Sequence, residues 1–197
     1  YKLDFHDIQI PLLGILEIGW WYIPLFMLVL IGTANAVNIT DGLDGLAGGL
    51  LAIAFAAFGA IAFMQGNFGV TIFCVALIGS LIAFLWFNIN PARFFMGDTG
   101  AFAMGATLAV IALLTNSVVA FVVIGLLFVI EAASSLLQRF SKKYFKRKIF
   151  IAAPFHLHLQ AIGWSEPKIV MRAWLLGGVL AVLGIIARLA GFSVLFK

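Results

Sequence analysis

Gly45-Leu-Ala-Gly-Gly-Leu-Leu-Ala-Ile-Ala-Phe-Ala-Ala-Phe-Gly-Ala-Ile-Ala-Phe-Met64 is a run of twenty residues without a charge. A helix of that length rises about 30 Å, the thickness of the hydrocarbon in a bilayer. Comparable apolar windows run from Trp20 to Ala36, Phe68 to Phe87, Ala101 to Leu114, Val118 to Gln138 and Ile169 to Leu189. They are too many and too evenly spread to be one signal peptide, and the polar–apolar alternation of barrel strands is absent. Hydrophobic residues make up 64% of the 197-residue chain and charged residues 10%, with a mean hydropathy of +1.16. A soluble domain carries about a quarter charged residues. A backbone in lipid has to satisfy its own hydrogen bonds, so the windows predict an all-α, polytopic transmembrane bundle of about six spans. Residues 1–197 read as a single membrane domain with its functional residues in connecting loops. Cys74 is the sole cysteine and falls inside a span, which leaves no disulfide framework and no thiol metal site.

Charge placement orients the bundle. Six of the twelve basic residues lie in Arg139-Phe-Ser-Lys-Lys-Tyr-Phe-Lys-Arg-Lys148, and the positive-inside rule puts such a run in the cytoplasm. It reads as a topology signal with attraction for anionic lipid; nucleic acid is not an expected partner. Counting spans from that loop places residues 39–44 and 88–100 inside, and 65–67 and 115–117 outside. The first segment, Tyr1 to Gly19 with Asp4, His6, Asp7 and Glu17, then lies outside and is assigned no chemistry. The chain opens on Tyr1 rather than Met and reaches its first span within about twenty residues, which suggests part of a longer protein.

Three polar words therefore share the inner face: Asn35-Ala-Val-Asn-Ile-Thr-Asp-Gly-Leu-Asp44, Asn88-Ile-Asn-Pro-Ala-Arg-Phe-Phe-Met-Gly-Asp-Thr-Gly100 and Pro154-Phe-His-Leu-His158. Asp41 and Asp44 could be helix punctuation, an N-cap and its partner three residues on. That leaves Asn35, Asn38 and the flanking Gly42 and Gly45 without a purpose. Glycines permit close approach of a ligand, and helix N-termini favour phosphate. Two aspartates would repel that phosphate unless a divalent cation such as Mg²⁺ lay between them. Asp98, at the start of another span, repeats the logic against the same capping alternative. Asp98-Thr-Gly also matches the aspartic-protease triplet, but here it leads into a membrane helix, and an intramembrane protease would need glycine where Phe95 stands. Asn88 can hydrogen-bond a ring or sugar, and Phe94-Phe95 offers faces for a nucleobase to stack on.

His156 and His158, two apart on an extended segment, would point to one side. Without cysteine or further ligands nearby, phosphate binding or proton transfer suits them better than zinc. Glu131, within the fifth span, and Gln138, one to two turns later, are polar at a depth where such groups face a cavity or a partner. Glu131 is also the feature that a transporter would use.

Together these words, with Ala153-Pro-Phe-His-Leu-His158, Gly163-Trp-Ser-Glu-Pro-Lys168 and Arg172-Ala-Trp174, resemble the polyprenyl-phosphate sugar-1-phosphate transferases, the glycosyltransferase 4 family. The Gly-Trp-x-Glu-Pro-Lys segment favours the branch acting on phospho-N-acetylmuramoyl-pentapeptide over the N-acetylglucosamine-1-phosphate transferases. The resemblance implies a Mg²⁺-dependent reaction at the cytoplasmic face of the bacterial inner membrane. A polyprenyl (undecaprenyl) phosphate attacks UDP-N-acetylmuramoyl-pentapeptide, giving lipid I and UMP for peptidoglycan synthesis. It implies catalytic roles for Asp41, Asp44, Asp98 and His156, metal ligation by Asp98 and Asn38, and substrate binding by Asn35, Asn88, Phe95, Gln138 and His158. The lipid bilayer is the third partner, and a homodimer is compatible. Leu157 stands where the family has a middle histidine, and Gln160 where it has Glu. The family has about ten spans, with an Asp-Asp pair in the earlier part. The resemblance therefore implies that this chain is a C-terminal portion, inactive alone. The rivals are the N-acetylglucosamine-1-phosphate branch and a membrane transporter.

Overall fold

The computed structural model describes residues 7–10 and 14–195. A two-stranded antiparallel hairpin, β1 (Asp7–Ile10) and β2 (Gly14–Glu17), pairs Asp7 with Glu17 and Ile8 with Leu16. Helices follow: α1 Tyr22–Thr40, α2 Leu46–Met64, α3 Phe68–Asn88, α4 Gly97–Leu114, α5 Val118–Ile124, α6 Leu126–Tyr144, α7 Phe155–Ala161 and α8 Glu166–Leu195. Five are long and apolar enough to cross a membrane, and α5 with α6 makes a sixth, broken span. The all-α membrane bundle is as expected; the hairpin is an addition that hydropathy did not show. Of the acidic and imidazole groups expected in that first segment, Asp4 and His6 lie outside the described residues.

The hub is α2. Its spanning window is 72% buried, against 17% for α3, and it packs on α3 and α8 with further contact to α4. Lipid tails are as apolar as leucine, so helices associate in membranes through close packing of small residues. Ala47, Gly48, Gly49, Ala54, Ala57 and Gly59 serve that purpose on α2, while Leu51, Phe55, Phe58 and Ile61 fill its surroundings. Phe58 meets Phe121 of α5 with ring centroids 6.2 Å apart.

A second pairing, α1 on α4, positions the chemistry. A Cβ on Gly105 would lie 2.8 Å from Ala34 Cα and 2.9 Å from Thr33 O, so only glycine lets the two backbones approach this closely. One turn beyond Ala34, Asn38 is still helical: α1 runs a turn past the expected end at Ala36. Asp98 likewise stands in the first turn of α4, which begins at Gly97 rather than at Ala101.

The expected continuous span from Val118 to Gln138 is broken. The chain turns by 75° between α5 and α6, at Gly125. The reason lies in the pattern of α6, which is polar inward: Glu131, Ser134, Ser135, Gln138 and Ser141 are buried, while Leu136, Leu137 and Phe140 are exposed. A straight helix could not keep that stripe off lipid and on polar neighbours. At the opposite end from the polar words, Asn116 (φ +45°) accepts from Gln9 N–H at 3.1 Å and donates to Asp7 Oδ2 at 3.4 Å, tying the hairpin to the α4–α5 turn.

Gly105→Leu should force α1 from α4 and lower the thermal midpoint of the purified protein, at an overpacking cost of about 1–3 kcal/mol. Gly79→Leu, where an added Cβ meets nothing within 4 Å, should leave it unchanged. Circular dichroism melts of both variants check the difference.

Candidate functional site

The three polar words meet at one end of the bundle. Asn38 Nδ2 donates to Asp98 Oδ1 at 2.9 Å, joining residues sixty apart in sequence. Asp41 follows as the residue that ends α1, not as the N-cap of the next helix. Its carboxyl is held above the usual aspartate range, first by burial and then by the negative charge of Asp98. Oxygens of Asp41, Asp98 and Asn38 are thus gathered with a surplus of negative charge. Among the described residues no set of three or more His, Cys, Asp or Glu could hold a metal ion. Two carboxylates and an amide nevertheless fit a hard cation that takes few protein oxygens and completes its shell with phosphate and water.

Asp44 plays a different part from Asp41. Its Oδ2 accepts from Asn90 Nδ2 at 3.1 Å and from Ala92 N–H at 2.9 Å, and its own N–H donates to Glu166 Oε1 at 2.7 Å. One residue thereby fastens the α1–α2 turn to the α3–α4 loop and to the start of α8. Asn88 adds a second stitch: Oδ1 accepts from Gly45 N–H at 3.0 Å and Nδ2 donates to Phe94 O at 3.0 Å. Gly45 precedes α2 with φ +79°, a conformation that glycine adopts without a Cβ penalty. Trp174 Nε1 donates to its carbonyl at 3.1 Å. Both ends of the buried Asn88 amide are therefore committed to backbone. Phe94 packs on Phe84 and Phe87, whereas Phe95 is 68% exposed.

The histidines do not stand on an extended segment. They belong to α7, where a spacing of two turns side chains about 200° apart. His156 is buried: its N–H donates to both Glu131 oxygens at 3.2 Å, and its Nδ1 lies 3.0 Å from Glu131 Oε2. The carboxylate thus holds the ring from the Nδ1 side and leaves Nε2 directed at Gly42, where a Cβ would come within 2.5 Å of it. His158 faces elsewhere, accepting from Ile151 N–H at Nδ1 over 3.3 Å. Gln138 clasps the same loop, taking Ile149 and Phe150 N–H on Oε1 and giving Nε2 to Phe150 O. Asn35 is exposed on α1, with Nδ2 bonded to Ile31 O at 2.8 Å. Beside the end of α1, a cavity of about 470 Å³ is lined by Ile39, Ser135, Gln138, Arg139, Lys142 and residues 151–154, polar and basic on its α6 side.

The site residues fall into four groups. Asn38, Asp41 and Asp98 form a cluster; Asp44 and Asn88 join the loops; His156 approaches through Gly42; and Asn35, Phe95 and His158 stand apart with polar or aromatic surface to offer. Sequence reading missed Glu166 and Asn90 as partners of Asp44, and Glu131 as the partner of His156. Glu131 was visible as a carboxylate at an expensive depth, and the missing signal was which histidine would return to it.

The model of glycosyl transferase family 4 matches residues 1–116, which include Asn38, Asp41, Asp44, Asn88 and Asp98. The phospho-N-acetylmuramoyl-pentapeptide-transferases of Bacillus thuringiensis (strain Al Hakam) and Bacillus cereus (strain AH187) are each 48% identical to this chain over 169 residues, 86% of this chain and 52% of the relative. The chain spans about half the length of these curated relatives. A match over more than half of the chain, taking in the Asn38–Asp98 pair and the Asp44 stitch, shows that this membrane protein belongs to glycosyl transferase family 4.

Proposed function

We propose that the whole protein transfers phospho-N-acetylmuramoyl-pentapeptide from its UDP-activated form to a polyprenyl phosphate at the cytoplasmic face of the bacterial inner membrane, releasing UMP. The observation that carries this reading is the joining of Asp98 to Asn38 with Asp41 beside them, at an end where α2 and α4 both begin. The N-termini of those helices carry positive partial charge that suits a diphosphate. The names of the curated relatives supply the donor.

Phosphoryl transfer asks for alignment and charge neutralisation more than for covalent chemistry from the protein. Asp98 and Asn38, with Asp41, would hold Mg²⁺, which neutralises phosphate charge when bound. Asp41, whose carboxyl is held above the usual aspartate range by burial and by the charge of Asp98, would bind such a cation as the carboxylate. Asp44 and Asn88 keep the α3–α4 loop at the site; their support of substrate passes through the backbone they hold. Phe95 offers an exposed face to the uracil. Asn35 and His158 contribute polar contacts, and Gln138 fixes the wall of the basic cavity beside α1, where the nucleotide side of the donor fits. His156, its Nδ1 held by Glu131, presents Nε2 at Gly42 for a phosphate oxygen or a proton. That pairing also gives Glu131 a place beside the site.

Asp98→Asn should lower UMP release by about a hundredfold or more while leaving the helical content intact; the drop is sized on loss of one preorganised electrostatic group. Assaying the full-length protein with UDP-muramoyl-pentapeptide and UDP-N-acetylglucosamine separates the two branches, and release with neither would overturn the reading. Asp41→Asn should abolish turnover yet raise the melting temperature at neutral pH without metal. The native carboxyl has a raised pKa, so its stabilising protonated form is present at low pH and lost as pH rises through that value. The stability gap between native protein and Asp41→Asn should therefore widen with pH, which melts between pH 4 and pH 8 will check. Gly42→Ala should press on the His156 ring, which Glu131 prevents from retreating, and should cut turnover at least about tenfold, in the range of lost general acid–base or positioning effects.

A further inference from the structure

Two of the sequence words, Gly163-Trp-Ser-Glu-Pro-Lys168 and Arg172-Ala-Trp174, supply none of the clustered carboxylates or histidines. They straddle the first turns of α8, and one side chain from each reaches the turn between α1 and α2. Glu166 Oε1 accepts from Asp44 N–H at 2.7 Å, and Trp174 Nε1 donates to Gly45 O at 3.1 Å. Neighbouring residues of the turn are thus gripped from two points about 12 Å apart along the axis of α8. The glycines of α2 make room for the second contact. An added Cβ on Gly49 would collide with Trp174 Nε1, and one on Gly45 would lie 3.6 Å from Cζ2, so the indole lies across two glycines one helical turn apart. The first contact answers a need of the backbone: Asp44 precedes α2, which begins at Leu46, and its part-buried N–H has no acceptor within that helix.

The gripped segment is the one on which the site depends. Gly42 and Asp41 stand two and three residues before Asp44. Gly42 meets His156 Nε2 with no room for a Cβ, so a shift of the turn by an ångström would press on the imidazole or open a gap. Misplacement of that size costs about a hundredfold in rate where reacting groups must align. On its other side the turn is held by Asn90 and Ala92 on Asp44 Oδ2 and by Asn88 on Gly45 N–H, all at or beyond the end of α3. A turn and a loop that hold only each other can slide together. The thirty-residue helix α8 does not slide: Ile169 and Val170 are buried, and an added Cβ on Gly177 would lie 2.8 Å from Leu50 Cδ2 of α2.

We propose that Glu166 and Trp174 are positioning residues of the transfer site: by fixing Asp44 N–H and Gly45 O to α8, they set Asp41 against Asp98 and Gly42 against His156. The catalytic part of this inference rests on the transferase reading of the site. Glu166 acts through its acceptor oxygen rather than its charge, and the first turn of α8 is a favourable place for the carboxylate that supplies it. Trp174 acts through the indole N–H.

The test uses four variants of the full-length protein. Glu166→Ala and Trp174→Phe remove one bond each, Glu166→Gln keeps an acceptor oxygen, and Met171→Ala changes an exposed side chain of the same helix that makes neither bond. Hydrogen–deuterium exchange over residues 41–46, measured without substrate or metal, should be about tenfold faster in the first two, the size of one lost hydrogen bond. It should stay native in Glu166→Gln and Met171→Ala. UMP release should follow the same order, with kcat down about tenfold and donor KM within about threefold in Glu166→Ala and Trp174→Phe. A double-mutant cycle separates positioning from a merely structural role. Gly42→Ala disturbs the same turn against His156, so adding Glu166→Ala to it should cost little more than the greater single loss, whereas independent effects multiply. Multiplied losses would overturn the proposal, as would a Glu166→Gln variant as impaired as Glu166→Ala, a raised KM at unchanged kcat, an equal effect of Met171→Ala, or exchange over 41–46 that no α8 variant alters. Absence of UMP release from the native protein would overturn the transferase reading and the catalytic use of the grip with it, while the exchange rates still decide whether α8 holds the turn. Circular dichroism confirms that the variants fold.

Discussion

A carboxylate inside an apolar bundle must be answered locally, and Glu131 is answered by the N–H and the imidazole of His156. Much of the site end follows from that exchange. It draws α7 under α6, sets which nitrogen of His156 is presented, and requires a residue without a side chain at position 42. It also accounts for the inverted pattern of α6, where serines and glutamine join Glu131 on the buried side while leucine and phenylalanine face outward. The 75° turn at Gly125 is what lets a helix of that character leave the membrane direction of α5.

Three aspartates at one end of the bundle have unequal surroundings. Asp44 is saturated by Asn90 and Ala92 and works as a fastener. Asp98 shares one oxygen with Asn38. Asp41 is buried beside Asp98 and holds its proton more tightly than an ordinary aspartate. Carboxylates left in electrostatic conflict cost stability, and such conflict is a mark of sites prepared for a charge yet to arrive. The surrounding loops need no such arrival to be ordered, because Asp44, Asn88 and Trp174 already tie them to three helices.

The spans were legible because roughly twenty uncharged residues have few other uses, and the shared face of the polar words was legible because charge in one loop orients the rest. Hydropathy is blind to which apolar helix is central. Nothing in the composition of α2 and α3 separates the buried hub from its more exposed neighbour except the glycines and alanines. The break at Gly125 was obscured because α5 and the beginning of α6 read as one apolar run. His156 and His158 were assigned an extended backbone, and the seven-residue α7 turned them apart; a helix that short owes its formation to Glu131 and packing rather than to propensity. Asn88 and Gln138 were recognised as important polar residues, but sequence could not tell a hand extended to substrate from one already closed on backbone.

The helix α4 is held at both extremities. Near its first turn Asp98 meets Asn38, and past its last turn Asn116 is bound to the hairpin, with Gly105 locked against α1 between them. Each added or deleted residue would swing everything beyond it by about 100° and shift it by about 1.5 Å, so no single insertion could satisfy all three contacts. A change of length inside α4 would therefore break at least one of them. The distance between the two faces of the membrane is, in this protein, written into the residue count of one helix.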